Sequence, residues 1–199
     1  MVVIQQKLSP KRLFSLDKET SYINIAQQPL HAESDNEFIV ADNLSAFKNE
    51  SLDVIFCMHV LEHLTNPELI FTDFQRTLKK GGYLIIATPD KPHLVGKSPY
   101  DEHVFTQTEL EGLFKKAGFL SLNFKYINAD KNAWRVHSRK RLLAKKYPWT
   151  VHIRDKIPFI WEALVLRLGK TANQLSAANF YLSDTYTDNT IDILVIASK

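Results

Sequence analysis

The sequence predicts an α/β fold built on a parallel sheet, and three observations carry that prediction. The first is the stretch Ser51–Asp90, which reads as strand, turn, helix, Gly-Gly turn and strand, one crossover unit. The second is a set of short, nearly continuous apolar runs, Leu52–Met58, Tyr83–Ala87 and Ile191–Ala197, as strands buried on both faces require. The third is composition: at 199 residues, 45% hydrophobic and 24% charged, the chain has ordinary globular usage and can bury a sizeable core.

Taken in order, Val2–Gln5 is expected to be a first strand, Pro10–Leu16 a helix opened by Ser9, and Tyr22–Ala26 a second strand. Glu37–Asp42 reads as a third strand with an acid at its carboxyl end. After the strand Leu52–Met58, a helix starts at Pro67, with Leu69, Ile70, Phe71, Phe74 and Leu78 at helical spacing. Lys79 and Lys80 fall in its expected last turn, and Gly81 and Gly82 are read as its stop. Tyr83–Ala87 follows as a strand ended by Pro89. Glu109–Ala117 is the next helix, closed by Gly118. Both Thr106-x-x-Glu109 and Thr108-x-x-Glu111 fit its capping box. Phe119–Tyr126 and Ile191–Ala197 are the remaining strands.

Several function classes are disfavoured at once. A formal charge of +3 does not by itself imply nucleic acid. The single cysteine, Cys57, rules out an intramolecular disulfide and a cysteine zinc cage, and its place in an apolar strand reads as core filler. Val2–Ile4 is too short for a signal-peptide core and no run of about 18 apolar residues exists, so a cytoplasmic protein is expected. His59-Val60-Leu61-Glu62-His63 has the spacing of a zinc-protease motif. It begins where a strand ends, so the two histidines do not share a helix face, and no metal is expected.

The words DVIFCMHVLEHL, LKKGGYLIIATP and DEHVFTQTELEGLFKKAGF, starting at Asp53, Leu78 and Asp101, carry a resemblance. In this order they resemble the small S-adenosylmethionine-dependent methyltransferases of the Rossmann-like class I, type 11-like, over roughly Val2–Phe124 plus the last strand. The resemblance implies one domain over residues 1–199, with a mostly parallel seven-stranded sheet, an antiparallel last strand and helices on both faces. A helical insertion over residues 128–184 precedes that last strand. It implies S-adenosylmethionine as cofactor, held by a glycine-rich loop after the first strand and an acid ending the second. Asp42 takes the place of the acid that meets the adenine amino group, with the Asn43 backbone beside it. Met58 and His59 line the cofactor cleft, and Gln5 and Gln27 stand at the ends of the first two expected strands. His103 is the candidate catalytic base, because a histidine titrates near neutrality; the alternative is a structural histidine at the start of the following helix.

Two readings of function stay open. The expected first loop, Gln5–Ser9, holds no glycine, and Ala26 stands where the second acid belongs. One reading is an S-adenosylmethionine-dependent methyltransferase with an irregular first loop. The other is a degenerate binding or interaction module, a pseudoenzyme in which Gln5–Ser9 fills the former cofactor site.

The segment Trp134–Trp149 concentrates positive charge among aromatics, and Ile157–Leu168 follows as an apolar helix. Arg135, Arg139, Lys140 and Arg141 are the candidate anion-binding residues. A basic helix beside an apolar one suits an anionic or lipid-linked acceptor, or peripheral contact with a membrane. A solvated lid over the sheet is the alternative, and nucleic acid is not expected.

Overall fold

The computed structural model describes residues 10–27, 36–94, 101–146 and 177–199. The chain divides into two compact units, Met1–Phe47 and Lys48–Lys199.

The first unit holds β1 (Leu13–Asp17), α1 (Thr20–Ala26) and β2 (Asn36–Val40). β1 and β2 pair in parallel, from Leu13 opposite Asn36 to Asp17 opposite Val40. This corrects two expectations: Pro10–Leu16 is not a helix and Tyr22–Ala26 is not a strand. The physical reason lies at Asp17, whose Oδ1 accepts the Glu19 N–H and turns the chain directly into α1. The Asp17 carbonyl accepts the Ala41 N–H, which continues the pairing one step past β2. Phe14 meets Phe47 edge-on, ring centroids 5.0 Å apart, within the same unit.

The second unit begins with β3 (Leu52–Met58), a 3-10 turn (Leu61–His63), α2 (Pro67–Thr77) and β4 (Leu78–Pro89). It continues through α3 (Gln107–Lys116), β5 (Ser121–Ala129), α4 (Lys131–Lys146), β6 (Phe180–Ser183) and β7 (Thr190–Ser198). The sheet order is β3-β4-β7-β5-β6. β3 and β4 are parallel, and β7 lies antiparallel between β4 and β5, as expected of the last strand. Leu84, Ile86 and Ala87 of β4 and Ile193, Val195 and Ala197 of β7 are fully buried and form the centre of the core.

α2 ends earlier than its sequence suggests. The Thr77 hydroxyl bonds back to the Asp73 carbonyl, and Leu78 is already extended and paired with Leu52. Gly81 and Gly82 therefore sit inside a β-bulge rather than at a helix stop, and Lys79 and Lys80 belong to the strand. Gly81 takes a positive φ of 75°, and a Cβ on Gly82 would lie 3.0 Å from the Asp53 carbonyl of β3.

The choice between the two capping boxes falls on Thr106. Its hydroxyl accepts the Glu109 N–H, and Glu109 Oε2 accepts the Thr106 N–H at 2.6 Å. Burial pushes the Glu109 carboxyl up, but the Thr106 hydrogen bonds and Lys91 outweigh it and hold it at about 2. Replacing Thr106 by alanine is expected to cost about 1 kcal/mol in a urea melt. A Thr108→Ala control should cost almost nothing.

The expected first strand Val2–Gln5 and the apolar helix Ile157–Leu168 lie outside the described residues. Among the described residues no helix is long and apolar enough to cross a membrane.

Candidate functional site

Two sets of side chains stand at the carboxyl ends of parallel strands, one set in each unit. Ligands bind at these ends in open α/β sheets.

In the first unit the strand-end acids are Asp17, the last residue of β1, and Asp42, two residues past β2. Asp17 ends a strand, whereas Ala26, where the sequence reading sought a strand-end acid, lies in α1. The displaced register hid Asp17, and the signal that could have found it is the word Leu-Phe-Ser-Leu-Asp, an alternating strand ended by an acid. Asp42 is exposed; its Oδ1 accepts the Asn43 side-chain amide at 2.8 Å, and Asn43 Oδ1 accepts the Ser45 N–H. Gln27 is exposed at the carboxyl end of α1, and Gln5 lies outside the described residues, as does most of the expected loop Gln5–Ser9.

In the second unit the site is built around His59, the first residue after β3. It takes a left-handed φ of 53°, costly for a residue with a side chain, and its N–H is held by the Ala87 carbonyl of β4. The half-exposed imidazole faces two carboxylates: Nδ1 is 3.3 Å from Glu62 Oε1 and Nε2 is 3.6 Å from Asp192 Oδ2. Glu62 is buried in the 3-10 turn, and its Oε2 accepts the Thr88 hydroxyl. Its backbone carbonyl takes the Glu102 and His103 N–H groups, which ties the loop before α3 to the end of β3.

The electrostatics follow from that geometry. The hydrogen bond with Glu62 raises the His59 pKa above 6.5, burial opposes this, and the charges of Asp192 and Glu62 add to it. Burial pushes Glu62 up, but the His59 hydrogen bond, a backbone hydrogen bond, the His59 charge and Thr88 bring it below the usual carboxylate value. Asp192 is raised to about 6, chiefly by burial, with Glu62 and Asp90 adding and His59 opposing. Cys57, buried in β3 behind Glu62, has its thiol pushed up to about 12 and is an inert core residue.

A second cluster lies at the end of β4. Asp90 Oδ2 accepts His93 Nδ1–H at 2.7 Å and the Tyr186 hydroxyl at 2.8 Å. Trp134 of α4 meets His93 edge-on, and His137 Nε2 donates to the His93 carbonyl. Sequence reasoning missed both this cluster and Asp192, because their partners are joined only by the β7 pairing and the start of α4.

The other expected residues are placed as follows. Met58 is exposed at the end of β3. His103 is exposed beside Phe105, with Nε2 3.2 Å from the capping-box Glu109. It lines an open cleft of about 670 Å³ between the start of α2 and the length of α3, whose lining includes none of His59, Glu62 and Asp192. His63 pairs with Asp101, not with His59, so the zinc-motif spacing is not realised as one ligand set. Arg135 is exposed on α4; Arg139, Lys140 and Arg141 follow on the same helix, and their side chains lie outside what is described.

Comparison with known proteins agrees with this fold. Residues 3–86 match the methyltransferase-domain family. An uncharacterized protein of Methanocaldococcus jannaschii is 31% identical over 99 residues, 45% of this chain and 46% of that protein. A ubiquinone biosynthesis O-methyltransferase of Glaesserella parasuis is 34% identical over 70 residues, 35% of this chain and 28% of that enzyme. The chain thus spans less than half the length of these curated relatives. A SAM-dependent methyltransferase structure from Thermotoga maritima superposes with a TM-score of 0.61 at 17% identity, over 94% of this chain and 72% of that one. Haemonchus contortus phosphoethanolamine N-methyltransferase 2, with S-adenosylmethionine bound, gives 0.57 at 17% identity, over 94% of this chain and 43% of that one. Residues 3–86 are thus similar to the methyltransferase-domain family, and the fold is the Rossmann-like one of the solved S-adenosylmethionine-dependent methyltransferases.

Proposed function

We propose that the chain binds S-adenosylmethionine and transfers its methyl group to a small acceptor. The observation that carries this reading is the pair of acids Asp17 and Asp42, each at the carboxyl end of one of two adjacent parallel strands. In this class those two positions take the ribose hydroxyls and the adenine amino group. Asp17 offers a strand-end acid of the kind that the sequence lacked at Ala26, which supports this reading over a degenerate module.

Methyl transfer asks mainly for alignment and exclusion of water, since the sulfonium is already activated. In the second unit, Met58 and His59 stand at the carboxyl end of β3, where ligands bind in open α/β sheets. The Asp90–His93–Tyr186 cluster and the start of α4 are proposed to face the acceptor. The basic run Arg135, Arg139, Lys140 and Arg141 supports an anionic or lipid-linked acceptor tail, including peripheral contact with an anionic membrane surface.

Calorimetric titration with S-adenosylmethionine and S-adenosylhomocysteine tests the reading. Micromolar binding is expected, with Asp17→Ala and Asp42→Ala each weakening it by about 10- to 100-fold, the worth of a charged hydrogen bond. No binding by a protein shown to be folded would leave the interaction-module reading in its place.

A further inference from the structure

The helix α4 carries seven Lys and Arg and no acid among its 16 residues, while the whole chain has a formal charge of +3, so the remainder is net acidic. One side of the helix is covered. Ala133 and Val136 are buried there, and Trp134 and His137 turn to His93. The opposite side is open: Lys131, Arg135, Leu142 and Lys146 are exposed, and their spacings of four, seven and four residues put them on one helix face. Leu142 is 65% exposed in the middle of these cations.

A second exposed feature adjoins this helix within the same unit. β6 is the edge strand of the five-stranded sheet, and its consecutive Phe180, Tyr181 and Leu182 are 37%, 50% and 58% exposed. Phe180 pairs with Ala129, the last residue of β5, and α4 begins two residues after Ala129. Two hydrogen bonds of 2.8 Å fasten the junction, from the Asp130 N–H to the Asn179 carbonyl and from the Asn179 amide to Asp130 Oδ2. Asp130 Oδ1 also accepts the Asn132 and Ala133 N–H groups and so caps the helix. The apolar strand and the basic helix therefore start from one fixed point.

Three large apolar side chains in a row on an open sheet edge are a liability in water. Cations alone would suit any polyanion. Cations beside exposed aromatic and aliphatic side chains suit a surface with phosphates outside and hydrocarbon beneath. We propose that β6 and the open face of α4 form one docking surface for an anionic phospholipid bilayer. Phe180, Tyr181, Leu182 and Leu142 enter the headgroup layer, and Lys131, Arg135 and Lys146 meet its phosphates. This rests on the reading that the basic run meets an anionic group, and commits it to a membrane surface rather than a free acceptor. Among the described residues no helix can span a bilayer, so the contact is with its surface. A nucleic acid would use the cations but gain nothing from Leu142 and Leu182.

Flotation of the full chain with vesicles tests the inference, using phosphatidylcholine alone and phosphatidylcholine with about a third phosphatidylglycerol. Binding is expected to the anionic vesicles only, and to fall as salt is raised. Each cation near such a surface strengthens binding about five-fold, so Arg135→Glu should weaken it about 5- to 30-fold. Lys115→Glu makes the same charge change at an exposed position of α3 and should leave binding within about two-fold. Leu182→Ser leaves the charge unaltered and should weaken binding about three-fold or more. Circular dichroism confirms that each variant is folded.

Absence of binding to anionic vesicles, equal binding to neutral ones, or an equal loss in Lys115→Glu would overturn the inference. So would release by millimolar glycerol phosphate at constant ionic strength, which would mean a pocket for a single headgroup. Full binding by Leu182→Ser would leave a purely electrostatic contact, as a nucleic acid makes, and overturn it too. A dimer in light scattering that Leu182→Ser dissolves would assign β6 to a second copy of the chain. The calorimetric titration is independent of all these outcomes: a protein that binds S-adenosylmethionine but no vesicles keeps the methyltransferase reading and loses this inference alone.

Discussion

Truncation of Phe71 to alanine is expected to remove about 3–5 kcal/mol of stability, the range for a large aromatic lost from a packed core. Phe71 is 1% exposed and sits on the inner face of α2. Its ring meets Phe114 of α3 edge-on at 4.9 Å, Phe74 at 5.7 Å and Phe119 at 6.3 Å. Phe114 and Phe119 also meet each other, at 5.4 Å, so the four rings form one cluster joining α2, α3 and the turn before β5. Edge-to-face pairs add about 0.5–1.5 kcal/mol each beyond their buried area, and the cavity left by truncation cannot be refilled by rings fixed from three directions. A domain of this size has about 5–15 kcal/mol in total, so the loss should be visible as a large fall in the urea midpoint. Phe71→Leu keeps most of the volume and should cost markedly less. A shift below about 1 kcal/mol for the alanine variant would mean that α2 and α3 are not held together by this cluster.

That cluster was legible in the sequence, because Phe71 and Phe74 recur at helical spacing and Phe114 and Phe119 flank a glycine stop. The same holds for β3 and β7, whose apolar runs admit one reading; the place of β7 between its neighbours followed only from the family resemblance. The first unit was not legible, and the reason is specific. Ser9-Pro10 imitates a helix start, and Ile23 and Ile25, being β-branched, suggest a strand where a seven-residue helix stands. A helix that short offers little periodicity to set against propensity. The misreading put the end of a strand at Ala26 rather than at Asp17. The length of α2 failed differently: Gly81-Gly82 is a strong stop signal, yet strand pairing at Leu78 had already ended the helix. At the site, His59 and Glu62 stand out in sequence as part of a metal-like motif. Asp192 reads there as a polar interruption of an apolar run, and only the pairing of β7 with β4 carries it to His59.

Asp192 should prove destabilising at neutral pH, and its replacement by asparagine should strengthen the fold. The side chain is 17% exposed and its pKa is raised from 3.8 to about 6, mainly by burial. A carboxyl whose folded pKa lies above its unfolded one favours folding while protonated. That benefit is complete below 3.8 and is lost as pH rises through about 6. Above this window the shift of about two units corresponds to about 3 kcal/mol of lost stability. Asp192→Asn keeps the shape and removes the ionisation, so urea melts at about pH 8 should show a gain of about 2–3 kcal/mol. At about pH 5, where the folded carboxyl is still largely protonated, the gain should shrink by about 1.5 kcal/mol. A gain independent of pH, or a loss at both values, would show that the charge of Asp192 is not what strains the fold.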